Sequence, residues 1–202
     1  DANYAKTSSY DADGKMHWQE ANNWAAGLNF GGFDDWRLAT VVDQVDGGAE
    51  VGCDYSVDGS DCGYNVDTAG SEMAYMWYNI LSGTPSYDTN GVWEPDSGFT
   101  GAIGADGVEI FNLQGDTDNN GSDFYWTGTS IPRWNDCCAF TFHAGWGLQN
   151  YDDKDGSDQE YFAWAVRSGD VAAVPIPGTV WLFSSGLMGL LGYSRRKQAI
   201  SA

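Results

Sequence analysis

The residues best able to gather a cation are the oxygens of Asp116-Thr117-Asp118-Asn119-Asn120-Gly121-Ser122-Asp123, where oxygen side chains recur at positions one, three and five and glycine stands at six. This is the first half of a calcium loop: a hard cation is held by hard oxygens spaced two residues apart around a tight turn. Asp116, Asp118, Asn120 and Asp123 are the candidate ligands, with calcium as the expected ion. No Glu closes the loop at its twelfth position, so the ion needs further oxygens from elsewhere. A second acidic cluster, Asp152, Asp153, Asp155, Asp158 and Glu160, either supplies them or forms a solvated turn. Asn120-Gly121-Ser122 also reads as a glycosylation acceptor.

The four cysteines are Cys53 and Cys62 in one loop and Cys137 beside Cys138 in another. Their spacing lacks the repeated two-residue interval of a zinc knuckle, so a disulfide framework is expected, with three connectivities open. Nucleophilic chemistry finds little footing. His17 and His143 have no Cys or Ser motif nearby, and the chain has neither a nucleophile elbow nor a phosphate-cradling Gly-Lys-Ser/Thr loop. With 29 Asp and Glu, any pair chosen for glycoside hydrolysis is uninformative. The chain is expected not to be an enzyme. Trp134, Trp146 and Tyr151 are candidates for stacking on sugar faces, although such rings serve equally in a core or a subunit interface.

These groups must be positioned by a chain of 202 residues, enough for one sizeable domain and a tail. A 42% hydrophobic composition with 10 Trp, 11 Tyr and 9 Phe provides a packed interior. The formal charge of −20 repels phosphate backbones, which excludes nucleic acid as a partner. Disulfides agree with an oxidising exterior, and the absence of Met at Asp1 is read as removal of an export signal.

Trp18, Ala21, Ala25 and Leu28 recur at helical spacing, and Gly31-Gly32 breaks the pattern. Thr40 followed by Asp43 predicts a short second helix over Val41, Val42 and Val45, with a polar turn as the competing reading. Ser71 opens a third helical pattern of Met73, Met76, Trp77, Ile80 and Leu81, ending at Gly83. Beyond Pro85, short β-prone runs follow at Val108 to Leu113, Phe124 to Thr129, Ala139 to His143 and Tyr161 to Arg167. Helices first and strands later predict an α+β domain over residues 1–170 with Gly- and Asp-rich loops.

The order of Phe30-Gly31-Gly32-Phe33-Asp34-Asp35-Trp36-Arg37-Leu38, Glu72 to Met76, Tyr125 to Thr129 and Ala163-Trp164-Ala165-Val166-Arg167 resembles the Lcl C-terminal-like domain family of bacterial surface proteins. The resemblance spans roughly residues 10–170, with Ala39 where the family usually has Pro. It implies a C-type-lectin-like fold and roles in adhesion or matrix rather than catalysis.

Residues 171–194 carry no charge, and Arg195-Arg196-Lys197 follow at once. The order Val174-Pro175-Ile176-Pro177, a hydrophobic stretch and the basic triplet resembles a PEP-CTERM sorting tail. Ile176 stands where the namesake motif is acidic. The resemblance implies export, transient inner-membrane anchoring, exosortase processing and an exopolysaccharide setting. It divides the tail into a Pro-containing linker, 171–177, and a single hydrophobic helix with a basic end, 178–202. Gly178 to Tyr193 would measure only ~24 Å as a helix, against ~30 Å of hydrocarbon. Ser185, Gly189 and Gly192 share one helical face and favour close helix packing. The expected function is thus an extracellular structural protein that polymerises through packed tails. The alternative is a calcium-assisted lectin-like adhesin anchored or released by the tail.

Overall fold

The computed structural model describes residues 4–43, 61–98, 124–131 and 136–168. The chain divides into two units, Asp1–Ser168 and Gly169–Ala202, and the second lies outside the described residues. With it go the linker residues Val174, Pro175 and Pro177, the packing face Ser185, Gly189 and Gly192, and the basic end Arg195, Arg196 and Lys197. Among the described residues no helix is long and apolar enough to cross a membrane.

The first unit is α+β and mostly sheet. Its elements are α1 (Tyr4–Thr7), β1 (Lys15–Met16), α2 (Trp18–Ala26), β2 (Arg37–Leu38), β3 (Gly63–Tyr64), α3 (Glu72–Ala74) continued by a π-helical stretch (Tyr75–Ile80), β4 (Phe124–Ile131), β5 (Cys138–His143), β6 (Leu148–Asp153), β7 (Tyr161–Ala163) and β8 (Ala165–Val166). Six strands form one sheet in the order β1-β7-β4-β5-β6-β3. Its pairs are antiparallel except β4 with β7. A separate two-stranded ribbon pairs β2 with β8, Arg37 opposite Val166 and Leu38 opposite Ala165.

Consecutive strand residues face opposite sides, so each pair of aromatics on β4 and β7 feeds two cores. Tyr125 and Phe162 pack with Met73, Ala74, Trp77, Leu81 and Phe142 beneath α3. Trp126 and Ala163 pack with Ala21, Trp24, Ala25 and Leu38 beneath α2. The double-sided apolarity of residues 161–167 has this origin, but the run is not one strand. Trp164 separates β7 in the main sheet from β8 in the ribbon.

Trp77 organises the first core. It is 1% exposed, and its Nε1–H donates to the Ala144 carbonyl at 2.7 Å. A Cβ at Gly83 or at Gly147 would lie 2.5 Å from the indole, so both positions must lack a side chain. Gly147 also has φ +65°, a region that favours glycine. Other indoles fasten neighbouring segments: Trp18 donates to the Thr127 carbonyl and Trp126 to the Met16 carbonyl, each at 2.8 Å.

The helix expected from Thr40 does not form over the described part of that segment. Val41 instead makes an antiparallel bridge with Ser71, and its N–H donates to Thr129 Oγ1 at 2.8 Å. Thr129 Oγ1 donates back to the Val41 carbonyl at 2.9 Å. The local Thr-x-x-Asp pattern is overridden because these backbone groups find partners in α3 and β4. The helical pattern from Ser71 is present, though its second half widens to π geometry between Tyr75 and Ile80. Ser71 caps it, its Oγ accepting from Ala74 N at 3.1 Å. The run predicted over Val108 to Leu113 lies outside the described residues, whereas Leu148–Asp153, for which no strand is predicted, forms the six-residue β6, and Asp152 and Asp153 of the acidic cluster are its last two residues.

Candidate functional site

Arg37 on β2 and Glu72 at the start of α3 meet as a two-pronged ion pair. Nη1 lies 2.6 Å from Oε2 and Nη2 2.7 Å from Oε1. Thr40 adds donors to the same carboxylate, its N–H at 2.8 Å and its Oγ1 at 2.9 Å. The guanidinium hydrogen bonds, aided by those from Thr40, hold the Glu72 carboxyl down from 4.5 to about 2, against the opposing effect of burial. Glu72 in turn raises Arg37 above its ordinary range.

A second ion pair follows along the ribbon. Arg167 donates through Nε to Asp35 Oδ1 at 2.8 Å and through Nη2 to Oδ2 at 3.1 Å. Its guanidinium also lies over the Phe33 ring, 3.7 Å from the centroid. The Arg167 hydrogen bond lowers the Asp35 carboxyl below its usual range. Ser168, the last described residue, accepts from Arg37 Nη2 at 3.5 Å. The ribbon strand that ends the domain is thus held by two arginines.

Two hollows adjoin this ribbon. The larger, of about 300 Å³, is lined by Thr40, Thr68, Glu72, Tyr75, Met76 and Arg167 among others. Tyr75 is 47% exposed, so its ring forms an accessible wall beside hydroxyls and fixed charges. The smaller, of about 80 Å³, is lined by Tyr4, Trp24, Leu28, Phe30, Trp36, Trp164 and Ala165.

Of the candidate residues chosen from sequence, the described Trp146 and Tyr151 line neither hollow. Asp116, Asp118, Asn120, Asp123, Cys53 and Trp134 fall outside the described residues. Trp146 stacks on buried His143 at 4.2 Å and 12°. Tyr151 packs with Val41, Ile131, Cys138 and Phe140. Tyr151 pairs with Phe140 and Leu148 with His143, so three ladder steps, roughly 10 Å, separate Tyr151 from the turn bearing Trp146. Those two rings do not form one sugar platform.

In the second acidic cluster Asp152 accepts from the Tyr161 hydroxyl at 2.6 Å, and Asp153 Oδ1 accepts from Asp155 N at 3.0 Å. Among the described residues no three metal-ligating side chains converge. Cys137 and Cys138 are joined to each other, and Cys62 is also disulfide-bonded.

Sequence reasoning passes over Lys154, and names Glu72 and Arg167 only within the family motifs, with no role at a site. Lys154 is 6% exposed, and its Nζ lies 2.6 Å from Asp136 Oδ1, 2.7 Å from Ser130 Oγ and 4.3 Å from the Trp18 ring centroid. A Ser-Lys contact can signal nucleophile activation, but the same Nζ is also held by the Asp136 carboxylate and the Trp18 ring face. The available signal was scarcity: with nine Lys and Arg against 29 acids, each domain cation was a candidate for a fixed partnership. Comparison of the chain with protein-family models, curated proteins and solved structures finds no match.

Proposed function

We propose that this chain is an exported, non-enzymatic structural protein of the cell surface or extracellular matrix, assembling with copies of itself through its C-terminal hydrophobic segment. The observation that carries the reading is the concentration of fixed contacts at the domain's end. β8 is paired with β2, Arg167 is held by Asp35 and Phe33, and Arg37 ties Glu72 to Ser168. A domain that transmits load through its tail needs a terminal strand that resists peeling.

In this reading the domain is C-type-lectin-like, as its Lcl-type motifs imply, and residues 178–202 form the helix. Ser185, Gly189 and Gly192 let neighbouring tails approach, while the Pro-containing linker and Arg195-Arg196-Lys197 serve inner-membrane retention and exosortase recognition. Calcium at Asp116, Asp118, Asn120 and Asp123 would steady a loop, and exopolysaccharide would surround the assembly. Electron microscopy with intact-mass measurement tests the reading by comparing the full chain with one ending at Asp170. Polymers formed only by the uncleaved full chain are expected; dispersed particles from both would overturn assembly through the tail.

A second reading, a carbohydrate-binding adhesin, is favoured by the larger hollow, where the Tyr75 ring stands beside Thr40, Thr68, Glu72 and Arg167. An aromatic face beside hydroxyls and fixed charges suits a sugar's apolar face and hydroxyl rim. Glycan-array binding that Tyr75→Ala removes is the expected result. Equal glycan binding by this variant would place any sugar site elsewhere.

A further inference from the structure

We infer that the smaller hollow is an aromatic box for a quaternary ammonium group carried by a soluble, choline-type small molecule. Its walls are rings set at steep angles. Phe30 meets Tyr4 at 5.1 Å and 61°, and meets Trp36 at 6.0 Å and 67°. Trp24, Leu28, Trp164 and Ala165 complete the lining. Rings crossing at such angles can offer faces as well as edges to a neighbouring group, and an aromatic face attracts a cation without a counter-charge.

The walls are pre-positioned. Gly31 and Gly32, at φ +65° and +84°, make a tight turn in which Phe30 N donates to Phe33 O at 3.0 Å and Phe33 N to Phe30 O at 3.1 Å. Trp36 Nε1 donates to the same Phe33 carbonyl at 3.1 Å. Phe30 is packed on one side by Tyr4 and Trp36 yet remains 50% exposed, leaving apolar ring surface in water. Fixed aromatic walls lower the entropy cost of capture.

Size and charge narrow the occupant. The hollow is small, about 80 Å³, and lined mostly by apolar rings, which favours a compact methylated nitrogen over a larger group rich in hydroxyls. A primary ammonium is strongly hydrated and would lose that shell here, whereas methyl groups fill the space and spread the charge. A chain of charge −20 draws cations toward its surface. The domain already uses this chemistry: Lys15 sits over Phe162, Lys154 over Trp18 and Arg167 over Phe33. Trp24, 3% exposed, has an indole N–H without an acceptor among the described residues.

The test is titration of the full-length chain with choline at low salt, followed by tryptophan fluorescence and calorimetry. The neutral isostere 3,3-dimethylbutanol is the control. Saturable binding about tenfold tighter for choline is expected. Trp36→Ala and Phe30→Ala, which alter surface rings, should abolish it, and Tyr75→Ala in the other hollow should leave it unchanged. Equal affinity for the neutral isostere, or no saturable signal, would overturn the proposal. So would unchanged choline binding by Trp36→Ala with a native circular dichroism spectrum. Sedimentation with phosphatidylcholine vesicles in the absence of free-choline binding would also overturn it, pointing to a lipid surface instead. None of these outcomes depends on polymer formation.

Discussion

Replacing Glu72 by Gln keeps the side chain's shape and removes the charge that Arg37 and Thr40 hold. The carboxyl falls from its ordinary 4.5 to about 2 in the folded chain, so folding favours the ionised form. A group lowered in this way contributes its full stabilisation above pH 4.5 and loses it as pH falls toward 2. Taken at face value the shift corresponds to roughly 3 kcal/mol. Because the side chain is 43% exposed, solvent screening reduces this to about 1 kcal/mol for a two-pronged surface pair. Urea unfolding of both full-length proteins, followed by tryptophan fluorescence, should show the variant about 1 kcal/mol less stable at pH 7. The gap should narrow below pH 4.5 and close near pH 2. The difference between proteins is the quantity to read, because protonating 29 acids also relieves general repulsion. A gap independent of pH from 7 to 2 would refute the assignment of that stability to the Glu72 charge.

Gly147→Ala should cost about 2–4 kcal/mol in the same assay, since its Cβ would strike the Trp77 ring and its φ of +65° disfavours a side chain. Loss of near-ultraviolet tryptophan dichroism would accompany it. Changing both Cys137 and Cys138 to Ser should lower stability by only about 1 kcal/mol, because their bridge closes a two-residue loop. A fall of several kcal/mol in denaturant titration would show that the bridge does more than restrict the unfolded chain. Asp35→Asn should reduce melting temperature slightly at low salt and less at high salt, because the carboxylate paired with Arg167 is exposed and screened. Persistence of the full effect in high salt would contradict that account.

The parts legible in the sequence were those whose partners lie close along the chain. Trp18, Ala21 and Ala25 mark α2 because one helical face repeats locally, and Ala21, Trp24 and Ala25 are indeed buried. The β-prone residues of Phe124 to Thr129 and Ala139 to His143 likewise identify strands before any partner is known. Thr40 misled because its local pattern competes with distant groups: Glu72 takes its N–H and hydroxyl, and Ser71 takes its neighbour Val41 into a bridge. Leu148 to Asp153 gave little strand signal because Gln149, Asn150, Asp152 and Asp153 are polar residues without β-branching, and β6 is defined by its pairing with β5. The candidate site was harder still, because Arg37 and Glu72 stand 35 residues apart and Asp35 and Arg167 stand 132 apart.

The same separation bears on the structural role proposed above. A strand of two residues, such as β8, carries too few ladder bonds to resist displacement by backbone pairing alone. Its resistance must come from side chains anchored in elements that fold around other centres. Arg37 reaches Glu72 on α3, whose Trp77 continuation is locked under Ala144, while Arg167 reaches Asp35 beyond the Phe30–Phe33 turn. Displacing β8 therefore strains contacts to both of these segments at once. The two arginines thus support a two-residue pairing from the first core and from the aromatic turn, as the proposed structural role would require.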